Sequence, residues 1–569
     1  MKRRWWKEAV IYQIYPRSFK DGDGDGVGDL QGILSALDYL SSLGVDTVWI
    51  NPVYVSPGED NGYDISDFRA IDPRFGTMDD LQRLIDGLHG RGMRIIMDMV
   101  VNHSSDEHDW FQLGRRSRED PHYGWYHWWP AEKGEPPSRC GFFDPKGKAW
   151  EYNAATDSYY LHYFSRRQPD LNWDNPELRQ EIYGMLRFWL DKGIDGFRMD
   201  AISFISKDTH WPDMSAETLE RDFGNDWGNY YASGPRLHDH LREMREQVLA
   251  GRDAVIIGES SGIPAERAHY FVGEDRGELD MMYQFEGISL GYLPGAFKKV
   301  DPAGYSVTAF REVYSRWDRL LEGKGWNTLY LGNHDQPRMV SRWGDDSDRY
   351  RERSAKLLFT FLLTMRGTPS LYSGDELGMT NIAFDRIDQY RDIETIHAYA
   401  RLRERGEDVE AFLRDQQLTA RDNGRTPFQW NAGPHAGFTT GEPWMPVNDN
   451  YRVVNREMEE RDPDSVLWAV RRLLRFRRDH PVLVYGGYRP EAPEDPRLYA
   501  YRRWDEAEGL LVLLNFSGAA AIFRGVEAGV GVGEVLINNC RELDRVEEGV
   551  RLQPWQAVIL KGGTPDDPG

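Results

Sequence analysis

Asp200, Glu259 and Asp335 are the side chains best placed, by type and local sequence, to carry nucleophilic and acid–base chemistry. Each follows a short apolar, β-prone run: GFRMDA at residues 196–201, VIIGES at 255–260 and LYLGNHD at 329–335. Arg198 and Asp200 are two residues apart, so on a strand they point to the same side, where the guanidinium can hold the carboxylate ionised. If Asp200 and Glu259 face each other at about 5–5.5 Å, the pair has the geometry of a retaining glycosidase. Asp200 then attacks an anomeric carbon, while Glu259 protonates the leaving oxygen and later deprotonates water. That division of labour needs a higher pKa on Glu259 than on Asp200, with Arg198 keeping Asp200 low. Asp335 would stabilise the cationic transition state, and His103 and His334 are candidate donors to substrate hydroxyls.

A second cluster has a different chemistry. Asp21, Asp23, Asp25 and Asp29 are four acids within nine residues, and Val27 stands at the seventh position, where a backbone carbonyl would serve. This spacing is that of a calcium loop, with glycines between the ligands to allow tight wrapping. Position 12 is Gly32 and not Glu, so the loop lies outside a true EF-hand. A structural Ca2+ is expected, with Mg2+ as the other candidate, and no organic cofactor.

These groups need elements to hold them. Strand-like runs at residues 9–19, 47–53, 94–101, 196–201, 255–260, 281–285, 327–335 and 368–376 alternate with amphipathic helical runs such as 32–43, 78–90, 176–192, 234–250 and 349–365. Eight strands with helical crossovers predict an α/β fold, a (β/α)8 TIM barrel. An open doubly wound sheet is the alternative, disfavoured because no Gly-rich phosphate fingerprint follows the first strand. Asp98, His103, Asp200, Glu259, His334, Asp335 and Asp375 all fall at or near strand ends, where barrels keep their chemistry. The predicted domains are a barrel over residues 1–103 and 175–485, an inserted domain at 104–174 after strand three, and a C-terminal antiparallel β-sandwich at 486–569. A further insertion is expected at about 377–461, and residues 562–569 read as disordered.

Composition narrows the partners. A formal charge of −23 argues against nucleic acid, which is gathered by basic surfaces. No run reaches the roughly 18 apolar residues of a membrane span, and the first residues lack the pattern of a secretion signal. Cys140 and Cys540 are far apart and make no metal or redox spacing. A cytoplasmic protein, monomer or dimer, is expected. Abundant Trp, Tyr and Phe permit a sugar ligand without selecting one.

The strings DMVVNH (98–103), GFRMDA (196–201), IIGES (256–260) and NHDQPR (333–338) resemble, in order, the four short motifs of the α-amylase family of glycoside hydrolases. QPDLNW (168–173) resembles the motif of its oligo-1,6-glucosidase and α-glucosidase branch. The resemblance implies retention, with Asp200 as nucleophile, Glu259 as acid/base and Asp335 as transition-state stabiliser. It implies that Asp64 pairs with Arg425 to grip a terminal glucose, that Tyr63 stacks on this sugar, and that Arg198, His103, His334, Phe164 and Gln168 belong to the substrate contacts. It also matches the loop at residues 21–29 to a calcium site. A pocket closed behind one sugar makes an exo-acting α-glucosidase for short oligosaccharides or disaccharides. In similar enzymes Val after the nucleophile accompanies α-1,6 preference and Ala or Thr accompanies α-1,4 or broader use; Ala201 points to an α-1,4-capable enzyme, with α-1,6 or sucrose-type linkages as further substrates. The alternatives are an oligo-1,6-glucosidase, a sucrose isomerase or transglucosylase, and, remotely, a non-catalytic interaction protein of the same fold.

Overall fold

The computed structural model describes residues 2–144, 146–214, 228–293, 298–491, 495–524, 533–547 and 549–562. Eight strands make its main sheet: β1 (Ile11–Ile14), β2 (Thr47–Ile50), β3 (Arg94–Val100), β4 (Gly196–Asp200), β5 (Val255–Glu259), β6 (Met281–Tyr283), β7 (Thr328–Leu329) and β8 (Thr368–Tyr372). They lie in the order β6-β5-β4-β3-β2-β1-β8-β7, and every pairing is parallel. This cyclic order is a barrel read around its circumference; a doubly wound sheet would reverse at a switch point. At the seam between β6 and β7, the Thr328 hydroxyl donates to the Met282 carbonyl (2.7 Å) and the Tyr330 hydroxyl to that of Gln284 (2.6 Å).

Local sequence explains the elements. β3 reads RIIMDMV and buries every residue after Arg94, as a strand covered on both faces must. Thr77 and Asp80 form a capping box that starts helix Met78–His89. Asn175 caps Pro176–Asp191, whose first residue is the proline whose missing N–H costs nothing there.

Several boundaries differ from expectation, among them three that reshape the chain near the barrel. The run at residues 9–19 is a strand only to Ile14, because Pro16 opens a helical turn, Pro16–Phe19. The helix expected at 32–43 is two, Leu30–Ser35 and Leu37–Leu43, broken at Ala36. The strand expected at 327–335 keeps only Thr328–Leu329, and the chain then turns over the barrel mouth, carrying Asn333, His334 and Asp335 with it.

The excursion after β3 contains a three-stranded antiparallel sheet of Trp128–Pro130, Ser158–Leu161 and Trp150–Asn153. Bridges from His103 to Asp170 and from Tyr126 to Leu171 close its base. The second insertion holds helices Ile393–Glu404, Val409–Thr419 and the short Asp422–Arg425. Beyond the barrel, a five-stranded and a three-stranded antiparallel sheet bury Leu498, Leu511, Leu513, Phe523, Val550, Leu552 and Leu560 in one core. The expected tail at 562–569 lies, after Gly562, outside the described residues.

Candidate active site

Three neighbouring strands deliver one cluster. The register sets Asp98 of β3 beside Arg198 of β4, and Ile257 of β5 on its other side. Alternation along β4 then sends Arg198 and Asp200 to the same face. The buried guanidinium of Arg198 donates from Nη1 to Asp98 Oδ1 (2.9 Å) and Asp200 Oδ1 (2.6 Å), while Nη2 lies 2.6 Å from Glu259 Oε1. One planar cation therefore bridges three carboxylates. The side chains of Asp200 and Glu259 keep 11% and 13% exposure, whereas Asp98 has none, so only the first two open onto the pocket. Glu259 Oε2 also accepts the backbone N–H of Ala201 at 2.9 Å. Ala201 holds a left-handed φ of +46°, strained for a residue with a Cβ, and this directs its amide at the acid/base.

Burial dominates the protonation of this cluster. It pushes Asp200 up to about 7 and Glu259 up to about 8, against the opposing pull of Arg198. The expectation that Arg198 keeps Asp200 low is thus corrected: one guanidinium spread over three acids does not offset their desolvation. The order of the pair, Glu259 above Asp200, is the one that acid–base work requires.

A second cluster comes from loops. Asp335 follows β7, with its N–H donated to Asn333 Oδ1 (2.8 Å). Its Oδ1 accepts Arg421 Nη1 (3.1 Å) and Arg425 Nη2 (2.9 Å), and Oδ2 lies 3.1 Å from His334 Nε2. Burial favours the protonated form, but the adjacent His334 ring and the charges of Arg421 and Arg425 prevail and hold Asp335 well below the usual carboxylate range. Both arginines ride on the second insertion. That insertion must approach closely: a Cβ on Gly424 would sit 2.4 Å from the Gln336 carbonyl. Arg421 also pairs with Asp392 and reaches Asp60 Oδ1 at 3.4 Å.

Tyr63 and His334 join the two clusters. The Tyr63 hydroxyl donates to Asp98 Oδ2 (2.8 Å) and lies 2.6 Å from His334 Nε2, and the two rings stack at 5.2 Å. The Gln13 amide donates to His334 Nδ1 (2.8 Å), which leaves the proton of this ring on Nε2. Burial keeps both histidines neutral, His103 lowered to about 4 and His334 held well below its ordinary value. His103 Nε2 donates to the Tyr63 carbonyl (3.1 Å), and the ring meets Phe164 at 5.0 Å. Gln168 Nε2 donates to Asp60 Oδ2 at 3.2 Å and lies 3.2 Å from His103 Nε2.

Asp64 is a correction. Its carboxylate turns into its own loop, accepting from Ser56 Oγ (2.9 Å), the Glu59 amide (2.8 Å) and the Asp60 amide (3.0 Å), and does not meet Arg425. Asp60 is the acid that faces the arginines, pushed up to about 7 by burial despite them. The sequence reading missed Asp60 and Arg421. Arg421 did leave a signal, since it precedes Arg425 by four residues, one helical turn. Asp375 is buried beside Arg338 (3.8 Å) and is no part of either cluster.

The acidic loop lies after β1. Asp21, Asp23 and Asp29 each offer a carboxylate oxygen, and these oxygens lie within 4.8 Å of one another. Asp21 also accepts the amides of Asp23 (3.0 Å), Gly24 (2.7 Å) and Gly26 (2.8 Å), and Asp29 caps the next helix through the Gly32 amide (2.6 Å). Asp25 is exposed, its Oδ1 accepting the Val27 amide (2.7 Å). Three hard oxygen donors at this separation fit a hard divalent cation.

Comparison with known proteins agrees with this geometry. Residues 13–486 match the family model described as alpha amylase, catalytic domain. An oligo-1,6-glucosidase of Parageobacillus thermoglucosidasius is 46% identical over 566 residues, 99% of each chain. Among solved structures, a mutant of the trehalulose synthase MutB in complex with sucrose is 44% identical with a TM-score of 0.94, covering 99% of this chain and 100% of that one. The isomaltulose synthase SmuA from Protaminobacter rubrum is 41% identical with a TM-score of 0.94 and the same coverage, 99% and 100%.

Proposed function

The chain belongs to the α-amylase family of glycoside hydrolases, and from that premise we propose a retaining, exo-acting α-glucosidase that releases α-glucose from the non-reducing ends of short α-glucosides. The observation that carries this reading is the Arg198 bridge, with Asp200 and Glu259 each 2.6 Å from the same guanidinium. Two carboxyl groups that share one cation suit the roughly 5–5.5 Å spacing of retention and not the roughly 6.5–9.5 Å of inversion. Asp200 attacks the anomeric carbon as Glu259 gives its proton to the leaving oxygen. Glu259 then takes a proton from water, which cleaves the glucosyl ester and frees Asp200. Asp335, ionised throughout, faces the positive charge that develops between these states and stabilises it more than the substrate.

Exo action is supported by what closes the far side. Asp60, Gln168, Arg421 and Arg425 are all buried and bonded to one another or to Asp335, behind the catalytic carboxylates. Their donors and acceptors would serve a single sugar, which suits a site closed behind its terminal unit. Ala201 has a short side chain beside the leaving group, which supports α-1,4 use; the 46% identity to an oligo-1,6-glucosidase supports α-1,6 use as well. The likeness to a sucrose-bound structure favours a second reading, sucrose isomerisation, in which a fructose hydroxyl replaces water. That reading lacks the charged Arg-Leu-Asp-Arg-Asp loop of isomerases.

In the acidic loop a structural Ca2+, or Mg2+, would be held by Asp21, Asp23 and Asp29, with Asp25 and the Val27 carbonyl as further ligands, and would neutralise their mutual repulsion. A small sugar as substrate and a cytoplasmic location are supported by the −23 charge, which does not suit a polyanion, and by Cys140 and Cys540, which are not joined in a disulfide. Among the described residues no helix is long and apolar enough to cross a membrane. Incubation with maltose, isomaltose and sucrose, followed by anomer-resolved NMR, tests the reading. The expected first product is α-glucose from at least one of them. A β-glucose first product refutes retention, and isomeric disaccharides from sucrose select the second reading.

A further inference from the structure

Lys207 lies in the loop that follows Asp200, seven residues on, and its side chain and that of its partner Asp170 are both fully buried. Its ammonium lies 2.8 Å from Asp170 Oδ2 and donates to Asn102 Oδ1 at 2.6 Å and to the Phe204 carbonyl at 2.7 Å. An ammonium has three protons, and these three acceptors use all of them. The ring of Tyr163 covers the charge, with its centroid 4.8 Å away. Lys207 therefore has no proton left for a sugar hydroxyl and no route to the pocket.

The three acceptors belong to three segments that carry the pocket. Asn102 precedes His103 and donates to its Nδ1 at 3.1 Å. Asp170 follows Gln168 by two residues, and its Oδ1 accepts the Tyr163 amide at 2.9 Å in the inserted domain. Phe204 belongs to the turn Ile202–Phe204 directly after Ala201, and its amide donates back to the Ala201 carbonyl at 3.0 Å. The same Ala201 offers its own amide to Glu259. One cation thus ties the loop after β3, the bridged segment at Asp170 that closes the inserted domain and the nucleophile loop to a single point.

We propose that Lys207 is a positioning residue, which holds the sugar-binding wall of His103 and Gln168 in register with Asp200 and Glu259. The proposal rests on the reading of this pocket as a glucosidase site. A shared ammonium suits the task because its three bonds are short, divergent and shielded from water, so a shift of any one segment breaks a bond that nothing replaces. Misplacement of reacting groups by about 1 Å costs on the order of 10²-fold in rate.

The test compares wild type with Lys207→Met and with Lys207→Met combined with Asp170→Asn, which leaves no buried charge unpaired. Active sites are counted with a slowly hydrolysed fluoro-sugar that traps the glucosyl-enzyme. In the double variant we expect a melting temperature near that of wild type and a per-site kcat on an aryl α-glucoside lowered about 10²-fold. Affinity for a cationic imino sugar, which resembles the transition state, should fall by a similar factor, while affinity for glucose changes less than about threefold. A merely structural role would lower the count of active sites and leave the per-site values alone. Per-site kcat and imino-sugar affinity within about threefold of wild type overturn the proposal, as does a double variant that fails to fold. Failure of wild type to hydrolyse any α-glucoside would instead overturn the functional reading.

Discussion

Two acid clusters meet at the barrel mouth, and their key carboxylates receive different shares of positive charge. On the β3–β5 side one guanidinium, Arg198, serves Asp98, Asp200 and Glu259. On the loop side two guanidiniums, Arg421 and Arg425, converge on one oxygen of Asp335. Both clusters are desolvated, yet Asp200 and Glu259 move up and Asp335 moves down. Protons therefore settle where cations are scarce. Asp200 and Glu259 can exchange a proton during a reaction, and Asp335, under two guanidiniums, provides a fixed negative charge.

The most severe break in this comparison is Asp200→Asn, which removes the nucleophile and leaves its neighbours in place. Turnover of an aryl α-glucoside should fall by on the order of 10⁵-fold, measured against a freshly purified wild-type control to exclude contamination. Glu259→Gln comes next, at about 10²–10⁴-fold on a disaccharide and less on a substrate whose leaving group needs no proton. The same pair sets the pH profile. Activity needs Asp200 ionised and Glu259 protonated, so kcat/KM should rise as pH passes about 7 and fall as it passes about 8. In Glu259→Gln the alkaline limb should vanish while the acid limb stays.

On the loop side, Asp60→Asn and Asp64→Asn separate two acids four residues apart. Asp60 faces Arg421 and Gln168, so its loss should lower kcat/KM about 10–150-fold, the equivalent of about 1.5–3 kcal/mol for a hydrogen bond to a charged group. Asp64 serves backbone amides of its own loop, so Asp64→Asn should lower the melting temperature with less than about a threefold change per folded molecule. Equal kinetic losses in both would return Asp64 to the sugar. The mildest perturbation is chelation. Removing a cation from the loop at Asp21, Asp23 and Asp29 should lower the melting temperature by a few degrees, as loss of a ligand present at 100 times its Kd costs about 2.7 kcal/mol, while kcat at 25 °C stays unchanged. No shift on chelation or on readdition of Ca2+ would dismiss the metal.

Legibility followed the range of the interactions. Arg198 and Asp200 share a strand, so period-two alternation placed them together from sequence alone. The alternation of strands and helices pointed to the barrel for the same reason. The acid facing Arg421 was not legible, because Asp60 and Asp64 sit on one loop and only its path decides which of them turns inward. The end of β1 is set locally, by the helical turn that Pro16 opens, whereas after β7 the path over the barrel mouth overrides the local strand propensity.

By itself the sequence determined the types of reacting group, their order along the chain and the strands that end on them, since these depend on neighbours a few residues apart. Only the tertiary structure decided how many cations each acid must share and how deeply it is buried. Those two quantities choose which carboxylate keeps its proton, and they arise where segments more than 300 residues apart, such as the loop of Asp60 and the insertion of Arg421, are brought within 3.4 Å.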